Sequence, residues 1–308
     1  MSNMKYVLFI AAAALALAAA CTGDENLNDG PVAIRLSSSL EVQTRAASGI
    51  QGSAFDEGES VDIFITEAVE ADESATTTYP QPLTYTTGTN GTMTPPTGGQ
   101  PYFPTSGNGV NIYAYYPSGT VTDMSASGVA FTVKADQSTD AAYKASDLMF
   151  GTAANPVSRQ SSAIPVTFRH LLSKITVNLT SGDGNPSLDG ATVSLMNVRL
   201  DAQLTPSDGT VAKGTGTQDE SVTVTTGTGG SAIIPVQTVA SGKQFIRVQL
   251  QTGGKLYYTL PQNATFQGGK VYTYNIKVNL TDLEVTSSIT DWTTDGDYSG
   301  DSNGEANM

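Results

Sequence analysis

The sequence predicts an all-β protein with a sandwich in each half of the chain. Three observations carry that expectation. Apolar and polar residues alternate in many short runs, the period of a strand with one buried face, as at Tyr272, Tyr274, Ile276, Val278 and Leu280. Gly, Pro and Asn turn signals separate these runs at short spacing. Charged residues make up only 14% of the chain, too few to solvate long amphipathic helices.

The chain begins with a single basic residue, Lys5, followed by an uncharged apolar run from Tyr6 to Ala20. Roughly 15 apolar residues fall short of the about 20 needed to span a membrane, so residues 1–20 read as an export signal. The run closes in Ala18-Ala19-Ala20-Cys21, and Cys21 is the only cysteine, so no internal disulfide framework exists. This ending resembles a bacterial lipoprotein cleavage site, which implies that Cys21 becomes an acylated N-terminus. The tether that follows carries Asp24 and Glu25; in lipoproteins of some anaerobes such acidic residues go with display on the outer surface.

After the polar leader, Val32, Ile34, Leu36, Leu40 and Val42 fall on alternate positions, interrupted by Ser38. A strand with one such apolar face needs a sheet to lie in. Directly behind it, Thr44-Arg45-Ala46-Ala47-Ser48-Gly49 is small and polar, a joint of the kind proteases reach, with Arg45 and Ala46 flanking the expected cut. Arg35 is the competing basic site, but it lies inside the strand. Leader, removable strand and joint fill residues 21–45, and a strand that can be cut from its own fold leaves a groove.

The body then runs through strands at Val61–Ile65, Leu83–Thr86, Val110–Pro117 and Val129–Val133, with Glu67–Thr78 and Thr87–Pro101 as loops. Ala135–Ala145 is the best short helix, and Asp147–Phe150 returns to extended chain. The irregular stretch from Gly151 to Ala163 sets a domain boundary, giving units at 46–160 and 161–308. In the second unit, Ile164–Phe168, Lys174–Leu179, Val193–Leu200, Ala232–Val236, Ile246–Leu250, Leu256–Leu260 and Tyr272–Leu280 read as strands. Thr205–Thr217 reads as a Gly/Thr/Ser segment. Leu283, Val285, Ser287 and Ile289 carry the same small-interruption pattern as Ile34, Leu36 and Ser38, and an acidic tail follows Trp292.

A net charge of −14 makes nucleic acid and anionic membranes poor partners. One histidine, one cysteine and one tryptophan leave few reagents for catalysis, and neither a cofactor nor a metal is expected. Asp295 to Asp301 imitates the start of a calcium loop, but Ala306 stands where its last ligand should be. His170 reads as a packing or capping residue. The tyrosines at 113, 115 and 116 could stack on a sugar, though half of them should face the core.

The joint at Thr44-Arg45-Ala46, Val110 to Pro117 (VNIYAYYP), Ser146 to Phe150 (SDLMF), Phe168 to Ile175 (FRHLLSKI), Phe266 to Tyr274 (FQGGKVYTY) and Ile289-Thr290-Asp291-Trp292 come in one order. In that order the chain resembles the fimbrillins, lipoprotein precursors of type V pili. The resemblance covers nearly the whole mature chain and implies two tandem transthyretin-like β-sandwiches. It also implies an outer-membrane lipid anchor and cleavage after an arginine by a surface protease. Removal of the first strand then allows head-to-tail assembly with other pilus subunits by strand donation, in support of adhesion to a host or bacterial surface ligand. Leu283, Val285 and Ile289 become the donor side chains. The rival reading is a surface lipoprotein of the same fold that binds glycans or host ligands without polymerising, and a secreted hydrolase ranks third.

Overall fold

The computed structural model describes residues 30–40, 55–69, 79, 81–226 and 228–292. Among them it holds twenty strands and one short α-helix. In the first half these are β1 (Leu36–Leu40), β2 (Ser60–Glu67), β3 (Leu83–Thr87), β4 (Met93–Thr94), β5 (Val110–Tyr116), β6 (Val129–Thr132), α1 (Asp140–Lys144), β7 (Met149–Thr152) and β8 (Ile164–His170). The second half adds β9 (Ser173–Ser181), β10 (Thr192–Val198), β11 (Asp201–Thr205), β12 (Thr210–Lys213), β13 (Glu220–Thr226) and β14 (Gly229–Ile234). It closes with β15 (Gln237–Val239), β16 (Gln244–Gln249), β17 (Lys255–Thr259), β18 (Ala264–Phe266), β19 (Lys270–Val278) and β20 (Leu283–Asp291). The helix is a single capped turn, with the Thr139 hydroxyl accepting from the Ala142 N–H.

Seven strands form one mixed sheet, in the order β1-β8-β7-β5-β2-β3-β4. The sheet curls, so that Ser37 bridges back to Thr92 and Ala33 to Tyr102. Its concave face closes over Ile34, Ile63, Tyr85, Ile112, Met149 and Phe168, all buried. A true sandwich follows, β13-β10-β16-β17 facing β14-β9-β19-β20, with Val177, Val193, Leu195, Phe245, Tyr274 and Ile276 between them. A small sheet, β12-β11-β6, and an apolar cluster including Tyr115, Phe150, Leu172, Leu204 and Trp292 join the two bodies. Only Leu171 and Leu172, both buried, separate β8 from β9.

Hydrogen bonding crosses the sequence division at residue 160. β8 pairs antiparallel with β7 and parallel with β1, so by sheet membership the first body extends to His170. Gly151 to Ala163, read as the place of the domain boundary, largely connects two neighbouring strands of one sheet. β6 in turn leaves the first body's sheet to pair with β11.

Two expectations change in detail. Glu67, read as the start of an exposed loop, ends β2 buried, and its carboxylate accepts hydrogen bonds from Ser106 and Asn108. The segment Thr205–Thr217 holds a hairpin, β11 against β12. Its turn works because the Asp208 carboxylate accepts from the Thr210 N–H at 2.8 Å and Gly209 supplies φ +66°.

Candidate functional site: a bracketed first strand and a half-buried last strand

The first strand is held along both edges. On one side Leu36 to Leu40 run parallel to Ile164 to Phe168, and the Ile164 N–H donates to the Arg35 carbonyl at 2.8 Å. On the other, the Ile34 N–H donates to the Pro101 carbonyl at 2.8 Å, and the Phe103 N–H to the Val32 carbonyl at 2.9 Å. The alternation seen in the sequence fixes which side chains enter the core. Ile34 is 0% exposed, Leu36 and Leu40 are each 4% exposed, and Val32 packs half-buried beside them. Burying three aliphatic side chains contributes roughly 5–9 kcal/mol, an upper value because the unfolded chain already shields some surface. Arg35 points to solvent, yet its own carbonyl is engaged in the ladder. A protease needs that backbone free, so the site is shielded while the strand is home. Val42, Arg45, Ala46 and Cys21 lie outside the described residues.

At Ser38 the slot narrows. The turn Thr89–Gly91 abuts the strand there, and the Ser38 hydroxyl donates to the Gly91 carbonyl at 3.4 Å. Gly91 has φ +73°, and a Cβ on it would stand 2.3 Å from the Ser38 carbonyl oxygen. Only glycine lets the turn come that close to a strand backbone.

The last strand is bound differently. β20 pairs with β19 over nine residues, from Leu283 against Val278 to Asp291 against Lys270, and forms the edge of its sheet. Leu283 and Val285 touch the sandwich core but stay half-buried, and Ile289 is 41% exposed. Polar pairs tie the ladder at both ends: Lys277 Nζ lies 3.2 Å from Glu284 Oε1, and Lys270 pairs with Asp291. The hydrogen bond from Asn279, then that from Lys277, holds the Glu284 carboxyl below its usual range. Glu284, and behind it Asp183, holds Lys277 above its own.

Just beyond β20, Trp292 turns inward. Its N–H donates to the Gly269 carbonyl at 2.7 Å, and its ring stacks on His170 with centroids 3.8 Å apart and planes 4° from parallel. His170 Nδ1 in turn lies 2.8 Å from Asp147 Oδ1, and both residues are buried. The Lys174 ammonium sits 5.7 Å from the indole centroid, and burial pushes its pKa down. Sequence reasoning took His170 as packing and missed this stack, since its partners are far apart in the chain.

The tyrosine platform does not form. Tyr115 and Tyr116 are buried, with the Tyr115 hydroxyl donating to the Pro206 carbonyl, which leaves only Tyr113 partly open. Among the described residues no group of three or more His, Cys, Asp or Glu side chains is placed to hold a metal ion.

Residues 44–292 match a family described as fimbrillin-like. Over 304 residues the chain is 28% identical to a Bacteroides uniformis protein assigned as fimbrium subunit Fim1C, covering 94% of this chain and 95% of that one. A crystal structure of a Bacteroides uniformis protein assigned to cell adhesion superimposes with a TM-score of 0.65 at 24% identity, covering 86% of this chain and 100% of the other. A similarly assigned protein from Bacteroides ovatus gives 0.66 at 17% identity, over 86% and 99%. The tip fimbrial protein Mfa3 from Porphyromonas gingivalis, truncated at its C-terminus, gives 0.50 at 12% identity, over 85% and 100%. At these identities the three structures establish a shared all-β fold.

Proposed function

Because the chain belongs to the fimbrillin-like family and is a subunit of a cell-surface fimbrium, we propose that it joins its neighbours by exchanging strands. One observation carries this reading: the first strand fills a slot with partners on both edges, while the last strand is a half-buried edge with a matching pattern. Ile34, Leu36, Ser38 and Leu40 align with Leu283, Val285, Ser287 and Ile289, so a serine falls at the narrow point by Gly91 in either case.

In this scheme the precursor is exported as a lipoprotein, acylated at Cys21 and held at the outer membrane. An arginine-specific surface protease cuts after Arg45, and the mature chain begins at Ala46. Once Val32, Ile34, Leu36, Leu40 and Val42 leave with the first strand, β8 loses a ladder partner and the core loses its cover. The C-terminal strand of a neighbour restores both by β-augmentation. Its apolar side chains move from half-wet positions into closed ones, so the exchange has a driving force beyond replacement of backbone hydrogen bonds. Donor and acceptor sites lie on different bodies of the chain, which makes a head-to-tail polymer.

Limited arginine-specific proteolysis of the purified precursor tests the whole scheme. Ladders of stable oligomers should form, and N-terminal sequencing should read Ala46. A discrete mature chain that stays monomeric, alone and when mixed with other fimbrial subunits, refutes strand exchange and favours the glycan-binding alternative. For the anchor, a fatty-acid probe should label the wild type and not Cys21→Ala; equal labelling of both rejects acylation at that residue.

A further inference from the structure

The final strand presents an unusual contrast. Ser288 to Asp291 are exposed, and among the described residues the strand forms the edge of its sheet. The very next residue, Trp292, is only 8% exposed. Its ring belongs to the cluster that joins the two bodies, together with Tyr115, Phe150 and Leu172, and not to the core of the sandwich in which β20 lies. A loosely held edge is therefore pinned at its end by a deep aromatic anchor.

What the anchor grips is equally specific. His170 is the last residue of β8, and its ring is oriented by Asp147. Two residues earlier on the same face of β8, Phe168 is the partner of Leu40 in the removable strand. One strand thus carries the first strand along its edge and the end of the last strand on its terminal side chain.

We infer that Trp292 is a positioning residue, a latch that holds β20 on its own subunit through His170 until the first strand has been removed. This rests on the donor role proposed above for Leu283 to Ile289. Donation requires the ring to leave His170, because the indole follows the strand without a linker. Loss of the first strand turns β8 into an edge and loosens its last residues, so processing and release are coupled through one element. The latch thereby suppresses donation by uncut precursor.

Segment-resolved hydrogen exchange on the uncut full chain reads the latch without any assembly step. In Trp292→Ala, amides of Leu283 to Asp291 should exchange at least about tenfold faster, with β9 and β10 unchanged as internal controls. Trp292→Phe, which keeps a stacking ring, should restore most of the protection, and His170→Ala should mimic Trp292→Ala. Because Trp292 is the only tryptophan, its emission gives a second readout: it should shift to the red when the cut wild type assembles. Unchanged exchange in β20, or exchange rising equally in β9 and β10, overturns the latch. So does an emission maximum that stays fixed while the wild type polymerises. A selectively loosened β20 in chains that, once cut, never assemble leaves the latch standing and refutes the donor role instead.

Discussion

Replacing Val285 and Ile289 together by Asp probes strand exchange where its two environments differ most. At home Ile289 is 41% exposed and Val285 half-buried. Full burial of an aliphatic side chain contributes ~1.5–3 kcal/mol, so with about half of each already wet the pair loses roughly 1.5–3 kcal/mol in the monomer. For a domain of 150–250 residues that lowers Tm by about 3–12 °C, and the chain remains folded at room temperature. In a neighbour's slot the same positions correspond to Leu36 and Leu40, each 4% exposed. Two carboxylates placed in such pockets cost at least about 4 kcal/mol together, which weakens assembly by roughly a thousandfold. The Tm comes from calorimetry, and assembly from oligomer ladders and light scattering after arginine-specific cleavage. A double variant that is folded, is cut normally and assembles at the wild-type rate and extent would refute the reasoning.

Three further outcomes follow from the same geometry. Leu36→Ala and Leu40→Ala should each destabilise the uncut chain by about 2–4 kcal/mol in urea titrations, because both side chains are buried, and should expose Arg35 to cleavage; equal stability would show the slot collapses at no cost. Gly91→Val should weaken the docking of the first strand and block assembly as well, since a side chain there strikes the strand backbone whatever its sequence; normal ladders from a folded variant would contradict this. Glu284 has a depressed folded pKa against the ordinary 4.5, so its contribution is present above pH 4.5 and disappears as pH falls through the folded value. Lys277, raised above 10.5, contributes below that pH and loses its share as pH climbs past its folded value. Glu284→Gln should therefore flatten part of the decline in Tm as pH falls below 4.5, a small effect at an exposed pair, and superimposable profiles would discount it.

Strands with one dry and one wet face were legible in the sequence, because burial writes itself there as period two. β1, β9 and β19 are the clearest cases, and Ile34, Leu36 and Leu40 point inward as their alternation requires. Strands rich in Thr, Ser and Gln, such as β13 (ESVTVTT) and β15 (QTV), were not. Backbone pairing does not depend on side-chain contrast, so a polar ladder strand leaves a faint pattern. Non-local choices were also hidden. Nothing near Phe131 announces that β6 will pair with Ala202 in the second half, and nothing near His170 announces an indole 122 positions later. The slot itself was half legible: the alternating strand could be read, but its bracketing by Pro101 to Phe103 and by the Gly91 turn could not.

The two-residue step between β8 and β9 has a mechanical consequence. In a fimbrium joined through these strands, tension enters a subunit along the neighbour's strand lying on β8 and leaves through the segment that follows β19. Between those points the covalent path is Leu171-Leu172, and β9 then runs parallel to β19 over eight paired positions. Load is thus passed from one sheet to the other by sliding along ladders whose hydrogen bonds share it, rather than by peeling them open one at a time. Flanking loops can vary in length and sequence without entering that path. Under the proposed strand exchange the load path would run through four strands, β8, β9, β19 and the donated one, and would leave the surface between them free to diversify.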